Sequence, residues 1–162
     1  MKIGNCRLEI DGLKIFIDVN VFIDVMTKRN GWSESLRVLN LARRSQEIES
    51  WSSALTLPLI YFFRRRVADE NTARADAREI LKGLQLVPLS PIVLDRALAS
   101  AGTDFEDNIQ LASAESVSAN HLITRNIKDF NSSQISVLNP DDWLAVQEVA
   151  TLEAKLSSPP GP

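Results

Sequence analysis

The sequence is poor in the side chains that most metal and acid–base sites draw on near neutral pH. Its 162 residues include one histidine and one cysteine. A single histidine excludes a two-histidine ribonuclease, an HExxH metalloprotease and any zinc site with two or three imidazoles. A single cysteine excludes an intrachain disulfide and a four-cysteine zinc site. Long apolar runs are also missing, because no stretch approaches the 18 residues that a membrane span needs. Residues Met1–Asp11 alternate polar and apolar and lack the 7–15-residue apolar core of a signal peptide, so the expected address is cytoplasmic. Carboxylates, by contrast, are plentiful, with 21 Asp and Glu. An enzyme built from this chain would rest its chemistry on oxygen ligands and a hard cation.

The length predicts one domain, with roughly 70% of the unfolded surface buried on folding. The expected division is an N-terminal extension over 1–12, a domain over 13–150 and a C-terminal tail over 151–162. The net charge is −3, unevenly placed. Residues 1–96 carry 15 Lys/Arg against 12 Asp/Glu, whereas residues 97–162 carry 3 against 9. The arginines gather at Arg43–Arg44, at Arg64–Arg65–Arg66 and at Arg74 and Arg78. A local basic face can meet phosphates on a protein that is acidic overall, although runs of arginine are commonly just the solvated faces of helices.

Short apolar runs alternate with helical patterns. Lys14–Ile17, Ile48–Ser52, Leu84–Val87, His121–Thr124 and Ile135–Leu138 read as strands. Lys2–Glu9 reads as a further short strand or an extension. Helices are expected over Val21–Met26 capped by Asn20, from Ser33–Glu34 through about Arg43, over Leu55–Val67, over Asn71–Gly83 and, opened by the cap and first-turn proline Ser90-Pro91, over Ile92–Ser100. Another runs from a capping box at Thr103 and Glu106 to about Ser118, and a last one from Asn139–Pro140 to about Lys155. The tail from Ser157 to Pro162 cannot continue a helix. The pattern predicts an α/β fold with a mainly parallel sheet and helices on both faces.

In such a sheet the loops after the strand ends gather on one edge, where ligands bind. Asp18 ends the first strand. Asp104 and Asp107 share one face at a helix start. Asp129 follows the fourth strand, close to Thr124 and Asn126. Three distant segments can therefore bring acids together, and a divalent ion would relieve their repulsion. Each acid also has a plainer reading. Asp18 can cap a helix, Asp104 and Glu106 can complement a helix dipole, and Asp24 reads as a supporting acid. His121, Trp51 and Trp143 read as packing residues, and Cys6 has no partner.

At these residues the sequence resembles PIN domains. Asp18-Val19-Asn20-Val21-Phe22-Ile23-Asp24 is similar to their opening D-x-N-x-x-x-D signature. Asp104-Phe105-Glu106-Asp107 through Ala114 is similar to their D-F-x-D helix. Thr124-Arg125-Asn126-Ile127-Lys128-Asp129-Phe130 is similar to their T-R-N-x-x-D-F loop, and Val137–Leu144 matches the usual close. The resemblance covers about residues 13–145. It implies a three-layer α/β/α fold and a Mg²⁺- or Mn²⁺-dependent endoribonuclease, as in VapC-type toxins of bacterial toxin–antitoxin pairs. It makes Asp18, Asp107 and Asp129 the catalytic metal ligands, with Asp104 an auxiliary acid and Asn20, Asp24, Thr124 and Asn126 in support. Many PIN nucleases also carry a glutamate after the second strand in a T-x-x-E context. Here Ser53–Phe63 has no acid, a pattern that some PIN branches share, and Glu34 or Asp24 is the candidate replacement.

Arg64, Arg65, Arg66 and Arg125 are the expected contacts to an RNA backbone. The resemblance further implies a homodimer and a small antitoxin, for which the apolar Leu55–Phe63 segment is a plausible dock. The rival from another class is a catalytically weak PIN-fold module that binds RNA or an antitoxin. A receiver-like phosphoryl-transfer domain would also collect aspartates at strand ends, but no lysine stands at the strand end where it would be needed.

Overall fold

The computed structural model describes residues 12–130 and 133–157. The expected strand at Lys2–Glu9 and Cys6 lie outside them, as does the tail beyond Ser157. The apolar run at 14–17 lies in β1 (Leu13–Ile17), where Ile15, Phe16 and Ile17 are all fully buried. Such a run suits a strand covered on both faces, as parallel strands are. The other strands are β2 (Ile48–Ser53), β3 (Gln85–Val87), β4 (His121–Ile123) and β5 (Ser136–Leu138). They form one sheet in the order β3-β2-β1-β4-β5, with every pairing parallel.

Parallel neighbours need crossovers, and helices supply them. These are α1 (Val19–Thr27), α2 (Trp32–Arg44), α3 (Thr56–Arg65), α4 (Glu70–Leu81), α5 (Pro91–Ala99), α6 (Phe105–Ser116) and α7 (Pro140–Ser157). The alternation of β1 separates two layers. Ile15 and Ile17 join a cluster with Phe22 of α1, Val38 of α2, Ile60 of α3, Ile80 of α4 and Trp143 of α7. Phe16 joins the opposite cluster, with Val93 and Ala97 of α5 and Ile109 and Ala112 of α6. The result is the expected α/β/α sandwich. Each large apolar side chain so buried contributes about 1.5–3 kcal/mol.

Two caps differ from the sequence reading. Helix α1 starts at Val19, with Asp18 rather than Asn20 in the cap position. The capping box at Thr103 does not form. Asp104 is the cap of α6, and its Oδ1 accepts from the amides of Glu106 at 2.8 Å and Asp107 at 3.4 Å. A carboxylate at a helix N-terminus also meets the positive end of the dipole, an advantage a hydroxyl lacks. The one-residue shift puts Glu106 at the second helical position, where it cannot reach back to the cap. Ser90 and Asn139 do cap as expected, accepting from the amides of Val93 and Asp142. Helix α7 runs on to Ser157, close to the end expected at about Lys155. Among the described residues no helix is long and apolar enough to cross a membrane.

The strand order decides where a ligand can sit. The chain moves outward from β1 through β2 to β3, then returns to place β4 on the other side of β1. The direction of winding reverses between β1 and β4, and the crevice beyond their C-terminal ends is the expected binding position.

Candidate active site

Asp18 and Thr124 face each other across that crevice. Ile17 pairs with Ile123, and the amide of Asp18 donates to the carbonyl of Ile123 at 3.0 Å. Asp18 is fully buried. Its Oδ2 accepts from Thr124 Oγ1 at 2.8 Å and from Asn20 Nδ2 at 3.0 Å. Its Oδ1 is buried with no hydrogen-bond partner. The amides of Val19 and Asn20 lie near enough to favour the charged carboxylate, but neither closes a capping bond. Burial outweighs them and raises the Asp18 pKa. A buried carboxylate oxygen without a donor is costly and calls for a proton or a cation.

Thr124 also organises the loop beyond β4. Its hydroxyl accepts from the amide of Asn126 at 3.0 Å while donating to Asp18. Asn126 Nδ2 in turn donates to Asp129 Oδ2. Asp129 lies in a 3₁₀ turn over Ile127–Phe130, anchored by the buried ring of Phe130. The T-R-N-x-x-D-F segment is therefore a hydrogen-bonded loop that presents Asp129 at the crevice. Across it stands the start of α6. Asp104, Asp107, Lys128 and Asp129 line an open cleft of ≈ 290 Å³.

Asp107 feels all of these acids. Its carboxyl is pushed up to about 7, first by burial and then by the charges of Asp18, Asp104, Asp129 and Glu106. Glu106 is raised too, chiefly by burial. A neighbouring like charge disfavours the ionised form, which is why the other acids add to the shift of Asp107. The four acids expected to meet at this edge, Asp18, Asp104, Asp107 and Asp129, are thus brought together.

Other expected site residues have different positions. Asp24 is buried, and Arg125 Nε pairs with its Oδ2 at 3.0 Å. Arg125 also donates to the carbonyl of Asn30 at 3.0 Å. The guanidinium thus ties the loop beyond β4 to the turn after α1. Glu34 accepts from Ser33 Oγ and is not among the acids that act on Asp107. Arg64, Arg65 and Arg66 lie at the C-terminal end of α3, which at 1.5 Å per residue is about 15 Å from its start. Arg64 pairs with Asp76 at 2.6 Å, and Arg65 donates to the carbonyl of Ala68. Lys128, which the sequence reading passed over, lines the cleft itself. Only its place between two motif residues marked it.

Among the described residues, no three of His, Cys, Asp and Glu stand as a ready metal cage. The acids at the crevice offer oxygen alone, the donor that a hard cation prefers. Mg²⁺ takes one or two protein carboxylates, keeps several waters and completes its shell with substrate phosphate. The orphaned Oδ1 of Asp18 and the crowded carboxyl of Asp107 both gain from a nearby divalent charge.

Residues 14–128 match the sequence model of a PIN domain family. The chain belongs to the PIN-domain family. No curated protein matches it by sequence. Among solved structures, the PIN fold here is similar to a toxin–antitoxin complex from Klebsiella pneumoniae, with 24% identity and a TM-score of 0.59 over 78% of this chain and 97% of that one. It is similar to VapBC-1 from nontypeable Haemophilus influenzae, with 14% identity and a TM-score of 0.62 over 80% and 99%. It is also similar to a sarcin–ricin loop cleaving toxin, VapC20, from Mycobacterium tuberculosis, with 14% identity and a TM-score of 0.55 over 67% and 86%.

The Ser53–Phe63 segment, which has no acid, begins in a buried neutral seam. Ser52, Ser53, Thr56, Gln110 and Ser113 are all fully buried. Ser113 Oγ donates to Ser53 Oγ at 3.3 Å, joining α6 to β2. Pattern reading missed Gln110 because a glutamine inside a helix carries no motif signal.

The double role of Asp104 is testable. Asp104→Ala removes the cap of α6 and should lower stability by about 1 kcal/mol, whereas Asp104→Asn should cost little. Urea unfolding at pH 7.5 measures both. Equal losses in the two variants would show that charge, not capping, is what the position supplies.

Proposed function

We propose that this PIN domain is a metal-dependent endoribonuclease and the toxin of a toxin–antitoxin pair. The observation that carries the reading is the junction of Asp18, Asp107 and Asp129 at the β1/β4 crevice. The cofactor would be Mg²⁺ or Mn²⁺, ligated directly by one or two of these acids and met by the others, with Asp104 beside them, through its waters. When bound, the ion lowers the pKa of water and offsets charge developing on the phosphate. Thr124 and Asn20 keep the Asp18 carboxylate turned so that Oδ1 stays free. Asn126 holds Oδ2 of Asp129. Asp107, pushed up to about 7, must release its proton before it can act as a ligand. Lys128, on the cleft wall, meets the phosphate backbone. Water attacks in line and leaves a 3′-hydroxyl and a 5′-phosphate, a route that requires no 2′-hydroxyl.

The partner reading rests on α3. Ile60 is fully buried in the core, but Phe62 is 68% exposed on the same helix. One face of the segment therefore packs inward while another offers apolar surface and arginines to a second chain. The similar Klebsiella structure is a toxin–antitoxin complex. A short reading frame directly upstream of the gene would support the pairing, and a solitary gene would weaken it. Homodimerisation belongs to the same proposal.

The test is incubation of purified protein with a long RNA and Mn²⁺. Internal cleavage to 5′-phosphate ends, lost with chelator, is the expected result. Cleavage that persists in chelator would defeat the metal mechanism. No cleavage, together with no Mn²⁺ uptake by calorimetry and retained RNA or antitoxin binding, would favour the second reading. That reading is a PIN-fold binding module, motivated by the missing T-x-x-E acid.

A further inference from the structure

The buried seam has a direction. Ser52 Oγ donates to the carbonyl of Ile17 at 2.8 Å. A hydroxyl has one proton, so the 2.9 Å contact between Ser52 and Thr56 uses the proton of Thr56. Thr56 Oγ1 can then only accept, and the group that reaches it at 3.4 Å is Gln110 Nε2. The relay runs one way, from the Gln110 amide through Thr56 and Ser52 to Ile17. This sets which end of Gln110 faces Thr56 and leaves its Oε1 turned elsewhere. Gln110 is 0% exposed, and Oε1 is buried with no hydrogen-bond partner among the described residues. A buried carbonyl of this kind loses its hydration without return.

Each end of the relay stands next to a site acid along the chain. Ile17 immediately precedes Asp18. Gln110 lies one turn beyond Asp107 on α6, the i, i+3 spacing that shares a helix face. Thr56 opens α3, the helix in which the T-x-x-E acid is missing.

We propose that Gln110 is a positioning residue of the acid site. Its Nε2 end locks α6 to the end of β1, and its Oε1 end accepts from a water in the hydration shell of the divalent ion. This rests on the metal reading above. Mg²⁺ and ions like it keep waters whose protons need acceptors. Acceptors outside the ligand shell are worth 10–100-fold in metal affinity. A neutral amide oxygen does this without adding charge to a site that already holds four acids.

The test is calorimetric titration of Mn²⁺ into the wild type and into the Gln110→Leu and Gln110→Glu variants, with metal-free thermal unfolding alongside. Gln110→Leu should weaken Mn²⁺ binding by about 10-fold or more. Gln110→Glu cannot donate to Thr56, so its metal-free midpoint should fall. It keeps an oxygen at the Oε1 end, so its Mn²⁺ affinity should hold or tighten. If Gln110→Leu does not fold, Gln110→Met takes its place; it too lacks the Oε1 acceptor and should weaken Mn²⁺ binding by about 10-fold. Altered unfolding midpoints with Mn²⁺ affinity within twofold of wild type would reduce Gln110 to packing and overturn the proposal. An Asp107→Asn control that loses Mn²⁺ while Gln110→Leu keeps it would overturn this proposal alone. A wild type that takes up no Mn²⁺ would overturn the metal reading as well.

Discussion

Asp107→Asn should lower Mn²⁺-dependent RNA cleavage by about 10²–10³-fold while leaving the chain folded. The substitution keeps the size and shape of the side chain, so the cleft survives. What it removes is the negative oxygen that a hard ion requires. Asp18→Asn should lose activity to a similar extent by a related route. The bonds from Thr124 and Asn20 meet Oδ2, so an amide must turn either its oxygen or its NH₂ toward the orphaned Oδ1 position. Neither choice gives a charged ligand there. Initial rates on a labelled RNA, with folding checked by circular dichroism, measure both variants. Full activity in Asp107→Asn would remove this residue from the mechanism and leave the chemistry to Asp18 and Asp129.

The metal-free protein should lose stability as pH rises from about 4 to about 7, and Mn²⁺ should restore it. Asp107 has an ordinary value of 3.8 and a folded value of about 7. Between these values the folded chain holds a proton that the unfolded chain has released. The contribution is therefore fully present below 3.8 and is lost as pH rises through about 7. The full shift would correspond to about 4 kcal/mol at about 1.4 kcal/mol per unit. Because Asp107 faces an open cleft, solvent screening reduces the expected effect to about 1–2 kcal/mol. That is a fall of about 2–8 °C in unfolding midpoint for a chain of this length. Asp107→Asn should abolish this part of the decline and make the metal-free protein more stable than wild type at pH 8. Saturating Mn²⁺ should raise the wild-type midpoint at pH 8 and leave the variant nearly unmoved. Thermal unfolding across pH 4–8, with and without Mn²⁺, measures the four curves. Parallel wild-type and variant curves in the metal-free series would show that Asp107 ionises normally.

Much of this protein follows from local pattern. The apolar run at 14–17 specified a strand buried on both faces, and Ser90–Pro91 and Asn139–Pro140 specified helix starts, because each depends on neighbours in the chain. Asp18, Asp107 and Asp129 were marked by strand ends and helix starts for the same reason. The error at Thr103 was also local: a hydroxyl and a carboxylate stood side by side as caps, and only the dipole and backbone geometry at α6 chose between them.

The tertiary structure decided which side chains are free. Arg125 occurs in a motif that invites a substrate role, yet its partner, Asp24, lies 101 positions earlier in the numbering and across the sheet edge. Gln110 carried no signal at all, because its relay joins α6, α3 and β1. Asp107 reaches about 7 only because burial, the acids at the start of its own helix and acids from two other segments act on it together. From the scarcity of histidine and cysteine and the placement of its aspartates, the sequence by itself determined that a metal bound here would have oxygen ligands. Which oxygens stand unpaired, and which charges crowd one another, depends on burial and on distances between remote segments, and those exist only once the sheet has closed.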